Sequence, residues 1–261
     1  GLPLLLSWRE GGILGEMLKD NEPASAISFQ TGKGIQTAPT DPTALHHRRH
    51  FPLPIKELQR RWCSSMVKID VGRRILTNDP RFARNVSVLV LTGERRQESP
   101  NRELYARVLV HASDAPRWNR RVTQVRPVLG WKEDRVWDII RRSGIVAHPC
   151  YHLGFARASC MTCIFNEEAE WATVRDVAPS HFREIARLER ELGTTVKIPE
   201  KKGQPAPTVG QLADRGTSTV PAHAQAWRRQ AMSETWTMPI RVSPSDWVLP
   251  AGAFTGGHGP T

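Results

Sequence analysis

The chain predicts an α/β fold built on a buried parallel sheet, and two stretches carry that expectation. The first is residues 86–91, VSVLVL, a run too short for a helix and rich in β-branched side chains, as expected of a strand covered on both faces. It stops at Thr92 and Gly93 and empties at once into Glu94, Arg95, Arg96, Glu98, Ser99 and Arg102. Ligands of open α/β sheets bind outside the carboxyl ends of strands, so this cluster places anion-binding groups at a ligand crevice. The second stretch is 122–128, which alternates as a strand until Arg126 and Pro127 close it, and a well-marked helix follows. Glu133 and Asp134 favour that helix's first turn, Val136, Trp137, Ile139 and Ile140 make its buried face, Arg141 and Arg142 suit its last turn, and Gly144 stops it.

With 261 residues the chain suffices for one large α/β domain, or a domain with an appendage. A hydrophobic share of 39% is ordinary for a soluble protein, and no apolar run approaches the ~20 residues that span a bilayer. The opening GLPLLLSW has no basic flank and too short an apolar stretch for a signal peptide, so it reads as a strand, with Leu4, Leu5 and Leu6 in the core. A formal charge of +11 attracts polyanions, whether nucleotides or nucleic acid. Four cysteines do not make a disulfide scaffold at this length. The CxxC spacing of Cys160 and Cys163 points to metal or redox chemistry in a reducing, cytoplasmic compartment.

In chain order, residues 13–19 read as helical, with Ile13, Met17 and Leu18 on one face. Residues 21–54 are rich in Pro, Thr, Ser and Gly and show no period, so they read as a long loop, the kind usually functional in a compact domain. Within it, His46-His47-Arg48-Arg49-His50 reads as a solvated or phosphate-touching segment, because adjacent side chains cannot all converge on one ion. Leu58, Trp62, Met66 and Ile69 then fall at helical spacing, and the helical pattern runs on until Asn78-Asp79-Pro80 stops it. Residues 104–110 are apolar enough to pack back on the sheet. Beyond Phe165, Asn166 is placed to cap a helix with Trp171, Val174 and Val177 inward. Phe182, Ile185, Leu188 and Leu192 form another face, ended by Gly193. After Lys201 the pattern fades, and the tail reads as irregular.

Three blocks resemble the phosphoadenosine phosphosulfate reductase family of the adenine nucleotide alpha-hydrolase, or PP-loop ATP pyrophosphatase, superfamily. TGERRQESPNR at 92–102 is similar to the family's G-x-R-R-x-E-S-x-x-R signature. RPVLGWKEDRVWDIIRRSGIVAHPCYHLGFARASCMTC at 126–163 resembles its R-P-L-x-x-W…H-P-x-Y-x-x-G-F-x-R-x-x-C-x-x-C block, and RWCSSMVK at 61–68 its R-W-C-x-x-x-L-K element. The blocks stand in the family's order, and the likeness reaches to about residue 193.

The resemblance implies a doubly wound, Rossmann-like, mostly parallel sheet that binds an adenine nucleotide at its carboxyl edge. It implies an α/β domain over 1–165, a C-terminal helical extension over 166–200 and an irregular Pro/Gly-rich tail over 201–261. By position, Arg95, Arg96 and Glu98 would be catalytic, the arginines gripping phosphate or sulfate oxygens through their planar forks and Glu98 orienting them. Gly93, Ser99, Arg102, Lys68 and Arg157 would bind the nucleotide or its phosphates. Cys63, Cys160 and Cys163, with Cys150 as fourth, would be thiolates for an iron–sulfur cluster, with zinc or no metal as alternatives.

Three departures from the family pattern shape the functional expectation. The glycine-rich, lysine-bearing phosphate loop is not among these residues, as though the sheet lacks its N-terminal strand. No cysteine follows Cys163, which argues against the reductive route that uses a C-terminal cysteine. The Cys-Cys dipeptide of cluster-bearing relatives is Cys63-Ser64 here. The expectation is therefore an enzyme using ATP or a phosphosulfonucleotide, with magnesium, for sulfur transfer or acceptor adenylation. A nucleic acid is the candidate acceptor and a protein the candidate sulfur donor, with no membrane partner. A non-catalytic nucleotide- or nucleic-acid-binding module is the alternative, and this stretch alone is expected to be inactive.

Overall fold

The computed structural model describes residues 3–55, 57 and 59–256. It is a mixed α/β structure that divides into two compact units, Gly1–Arg96 with Asn101–Leu129, and Gln97–Pro100 with Gly130–Thr261. The expected boundaries at 165 and 200 both fall inside the second unit. No helix among the described residues is long and apolar enough to cross a membrane.

In the first unit, β1 (Ser7–Arg9), β3 (Ile27–Thr31) and β4 (Gly34–Ala38) form an antiparallel sheet in the order β1-β3-β4. A second pair joins β2 (Asp20–Pro23) to β5 (Leu45–His47). Short helix α1 (Gly12–Met17) lies between β1 and β2 in the chain. Two expectations need correction here. The opening strand begins only at Ser7, and Leu4 stands 83% exposed, so the leucine run is not core. The stretch 21–54 is not a loop, because strands of three to five residues, some without a buried residue and β3 with Ile27, Ser28 and Phe29 all buried, leave no visible period.

Residues 62–78 form one helical run: α2 (Trp62–Ser64), a π-helical segment (Ser65–Ile69) and α3 (Asp70–Asn78). Leu58 of the expected periodic face lies outside the described residues. Val71 and Ile75 of α3 close the core over Ile27, Phe29 and Ala38. Asp79 ends α3 and caps the next helix, α4 (Pro80–Ala83), by accepting from Arg81 N at 2.9 Å.

The third sheet holds β6 (Val86–Leu91), β7 (Val108–Val110) and β8 (Arg120–Val125) in the order β6-β8-β7. β6 and β8 pair in parallel, Val88 opposite Val122 and Leu91 opposite Val125, while β7 runs antiparallel to β8. The expectation that β6 is covered on both faces fails. Helix α4 packs against β6, and Val122 on the neighbouring strand is fully buried. Ser87, Leu89 and Leu91 alternate onto the other face, where the two leucines are 60% and 62% exposed, and Val108 and Val110 are exposed on β7 across β8.

The second unit is helical: of α5 (Pro100–Glu103) only Pro100 belongs to it, and α6 (Glu133–Arg142), α7 (Pro149–His152), α8 (Glu168–Val177), α9 (Pro179–Leu192), α10 (Val209–Arg215) and α11 (Gln225–Ala231) follow. Helix α6 keeps its expected residues, with Trp137 buried against Tyr151, their rings edge-on at 5.1 Å. Gly144 ends it at φ 63°, and a Cβ there would sit 2.1 Å from the Val242 carbonyl, so only glycine fits. The cap of α8 is Glu167, in a capping box with Glu170, while Asn166 donates to the Met161 carbonyl instead. Two helices occupy the supposedly irregular tail. Thr208 and Gln211 cap α10 reciprocally, a signal legible in TVGQ that the fading periodicity obscured. Its Val209 N–H donates to the buried Glu189 carboxylate of α9, which also accepts from Val196 N. Burial raises the Glu189 carboxyl above its ordinary range.

The first unit is centred on an ionic group. Glu16 is fully buried; its Oε2 accepts from Arg48 at 2.6 Å and its Oε1 from Ser25 N at 2.8 Å. Glu16→Ala strands the buried Arg48 and an amide together, so it should lower unfolding stability by about 3–5 kcal/mol. Denaturant unfolding monitored by tryptophan fluorescence checks this, and a loss within ~0.5 kcal/mol, the scale of an ordinary surface substitution, would refute it.

Candidate functional site

The first part of the site is the loop that leaves β6. Thr92 is fixed at the strand's end, its N–H on the Val125 carbonyl and its hydroxyl accepting from Gln124. Gly93 opens the loop, with no atom within 4 Å of where a Cβ would stand. Arg96 then turns back on the loop. Its Nε donates to the Glu103 carbonyl at 3.1 Å and its Nη2 to the Tyr105 carbonyl at 3.3 Å. Its own N–H donates to the Leu129 carbonyl.

A second arginine does the same work from the other side, and sequence reasoning missed it. Arg126 is buried, donates to the Ala106 carbonyl at 2.8 Å, lies 3.4 Å from Glu94 and covers the Tyr105 ring at 4.5 Å. The signal for it was present, since Arg126 opens the R-P block quoted above. Arg95 and Arg102 are half-buried in the same loop region, at either end of its 92–102 span. Lys68 is exposed on the π-helical segment, which also lies in the first unit. Such segments are frequent at functional sites.

Glu98 and Ser99 lie in the short stretch Gln97–Pro100, which belongs to the second unit. Glu98 is exposed at the end of a 3-10 turn and Ser99 is buried. Gln97 anchors the stretch by accepting the Glu133 N–H at 2.8 Å, at the start of α6.

The second unit gathers Arg157 with the cysteines. Arg157 Nη2 donates to Cys163 Sγ at 3.2 Å, and the Arg157 carbonyl accepts from Cys150 Sγ at 3.9 Å. A cavity of about 240 Å³ is lined by Cys150, Arg157, Cys160, His148 and Met161 among others. His148 serves as the cap of α7, its Nδ1 accepting from Cys150 N. Burial pushes the Cys150 thiol up to about 12, whereas Cys160 is exposed. Nearby, His152 stacks on Trp227 at 3.7 Å, and burial pulls its pKa down to about 4, leaving it neutral at pH 7.

As folded, this donor set does not fit a metal centre. Among the described residues no three His, Cys, Asp or Glu side chains gather closely enough to hold an ion. Cys63, half-buried on α2, belongs to the first unit and the other three cysteines to the second.

The phosphoadenosine phosphosulfate reductase domain matches residues 34–166, half of the chain, and the protein belongs to that family. The matched span holds the RWC element, the β6 loop and the CxxC together. The chain is 30% identical over 130 residues to an uncharacterized 37.8 kDa protein of Escherichia phage 186, covering 50% of this chain and 37% of that protein. It is 26% identical over 141 residues to an uncharacterized protein of Methanocaldococcus jannaschii, covering 54% of this chain and 31% of that one. The chain thus spans about a third of the length of the curated relatives it matches. No solved structure matches it.

The thiols give a direct check on this arrangement. At pH 7 an alkylating reagent should modify Cys160 first and Cys150 last, because a thiol with a pKa of about 12 is almost wholly protonated there. Peptide mass mapping over time reads the order, and early labelling of Cys150 in the folded protein would contradict it.

Proposed function

We propose that this protein is an adenine-nucleotide-dependent enzyme that acts at the α-phosphate, or at a sulfate attached to it, in sulfur transfer or acceptor adenylation. Family membership supports nucleotide binding, and the loop after β6 is the observation that carries the rest. In this reading the parallel β6–β8 pair is the part of a doubly wound sheet whose carboxyl edge receives the nucleotide. Arg95 and Arg102 grip phosphate or sulfate oxygens there, Gly93 lets the backbone approach, and Ser99 and Lys68 add donors. Arg96 and Arg126 hold the loop that presents them.

With ATP, an acceptor nucleophile forms a bond to the α-phosphorus, the bond to the bridging oxygen breaks, and pyrophosphate departs with that electron pair. Preorganised guanidinium groups offset the charge building on the leaving oxygens. Magnesium bound to the phosphates would supply further charge neutralisation. Glu98 orients the arginines in this scheme. No step runs through a metal cluster. The four free cysteines suit a reducing cytoplasm, and a sulfur-donor protein is the partner this reading calls for. A nucleic acid is the acceptor class most consistent with the charge of +11.

The test is pyrophosphate release from ATP by the protein carrying the full span of its relatives. Arg95→Ala should reduce kcat/KM by about 10- to 100-fold, the loss of one charged hydrogen bond. Arg96→Ala should raise KM and lower thermal stability together, because it frees the 103–105 carbonyls. Nucleotide binding without any pyrophosphate release would instead identify a non-catalytic binding module.

A further inference from the structure

The HHRRH segment is the one motif the proposed chemistry leaves unused, and the first unit builds a cleft around it. Strand β5 brings His46 and His47 to one wall, where His47 Nδ1 pairs with the Asp20 carboxylate at 2.7 Å. The chain then turns through Arg49 at φ 45°. Arg48 points inward to Glu16, its guanidinium 5.3 Å over the Trp62 ring. His50 continues the wall; its Nδ1 donates to the Phe51 carbonyl at 2.8 Å, which leaves Nε2 for another partner. The opposite wall is the entry to α2, with Gln59, Arg60 and Trp62. The space between is an open cleft of about 650 Å³.

We propose that this cleft binds the phosphodiester backbone of a nucleic acid. The proposal names the partner of the enzyme inferred above and rests on that reading for its biological sense. Three observations carry it. His46, His47, His50 and Arg60 line the cleft from two separate stretches of the chain, several donors that suit repeated oxyanions. The acids that border it are already engaged, Asp20 by His47 and Glu16 by Arg48, so Arg60 and His50 face a ligand without a competing carboxylate among these contacts. Trp62 lines the cleft while 4% exposed, and its Nε1 is a buried donor with no acceptor among the described residues, a group that a bound phosphate or base can satisfy. Burial first, and then the Arg48 charge, hold His46 below its ordinary pKa, in keeping with a positive local field.

Binding of a labelled single-stranded oligonucleotide to the whole chain, read by fluorescence anisotropy without ATP, tests this. Affinity should fall steeply between about 50 and 200 mM salt. Arg60→Glu should weaken binding on the order of tenfold and reduce the salt slope by about one. His50→Gln should weaken it less, and both variants should keep the parent's thermal midpoint. Lys202→Glu makes the same charge change on an exposed turn of the second unit and should leave binding within about twofold. Equal weakening by Arg60→Glu and Lys202→Glu would overturn the proposal, since bulk charge would then account for the binding. Absence of binding at low salt, or full displacement of the oligonucleotide by ATP, would overturn it as well. Loss of pyrophosphate release with oligonucleotide binding intact would count against the enzyme reading and leave the cleft standing.

Discussion

A carboxylate sealed inside the first unit governs much of what surrounds it. Glu16 has no exposure, and it meets Arg48 directly while Arg9 stands 3.8 Å away. Arg9 in turn donates to the carbonyls of Ser25 and Met66 and to the Asp70 carboxylate. These bonds tie β1, α1, the segment after β5 and the helical run 62–78 to one another. Taking such charges out of water is costly, and their attraction repays it only when nearly every donor and acceptor is matched. The demand for matching makes the network a positioning device more than a source of stability. By drawing Arg48 inward it fixes the backbone on which the three histidines are displayed.

The same economy of arginine recurs at the β6 loop. A guanidinium offers five donors in a rigid fork, enough to hold two backbone carbonyls at once. Arg96 and Arg126 spend those donors on residues 103–106, so a stretch without regular hydrogen bonding acquires a defined course. Motif likeness assigns Arg96 to the ligand, and in the folded chain it also donates to the Glu103 and Tyr105 carbonyls that shape the loop. Those contacts matter chemically, because a group that holds the loop acts on substrate through the groups it presents.

In the second unit, packing decides which thiols are chemically available. Cys150 sits at the first turn of α7 against its own chain, and the loss of water there disfavours the thiolate. Ten residues later Cys160 is open to solvent, and Cys163 takes a hydrogen bond from Arg157. Four cysteines that look alike in a motif therefore have different surroundings.

Long, strongly periodic segments were legible in advance: the Trp137 face of α6, the Phe182, Ile185 and Leu188 face of α9, the β6 strand itself and the stop at Gly193. The short strands from Asp20 to His47 were not, since three to five residues sample too little of a two-residue period to stand out from a Pro- and Gly-rich background. Family membership and the position of the arginine-rich loop after β6 were likewise carried by local order of residues. What only the tertiary structure decided was the partner of each charged group: that Arg96 holds carbonyls, that Arg48 is buried on Glu16, and that one face of β6 is exposed. Periodicity and motifs report on neighbours along the chain, whereas a long, flexible arginine finds its partner through space, among residues that the sequence sets tens of positions away.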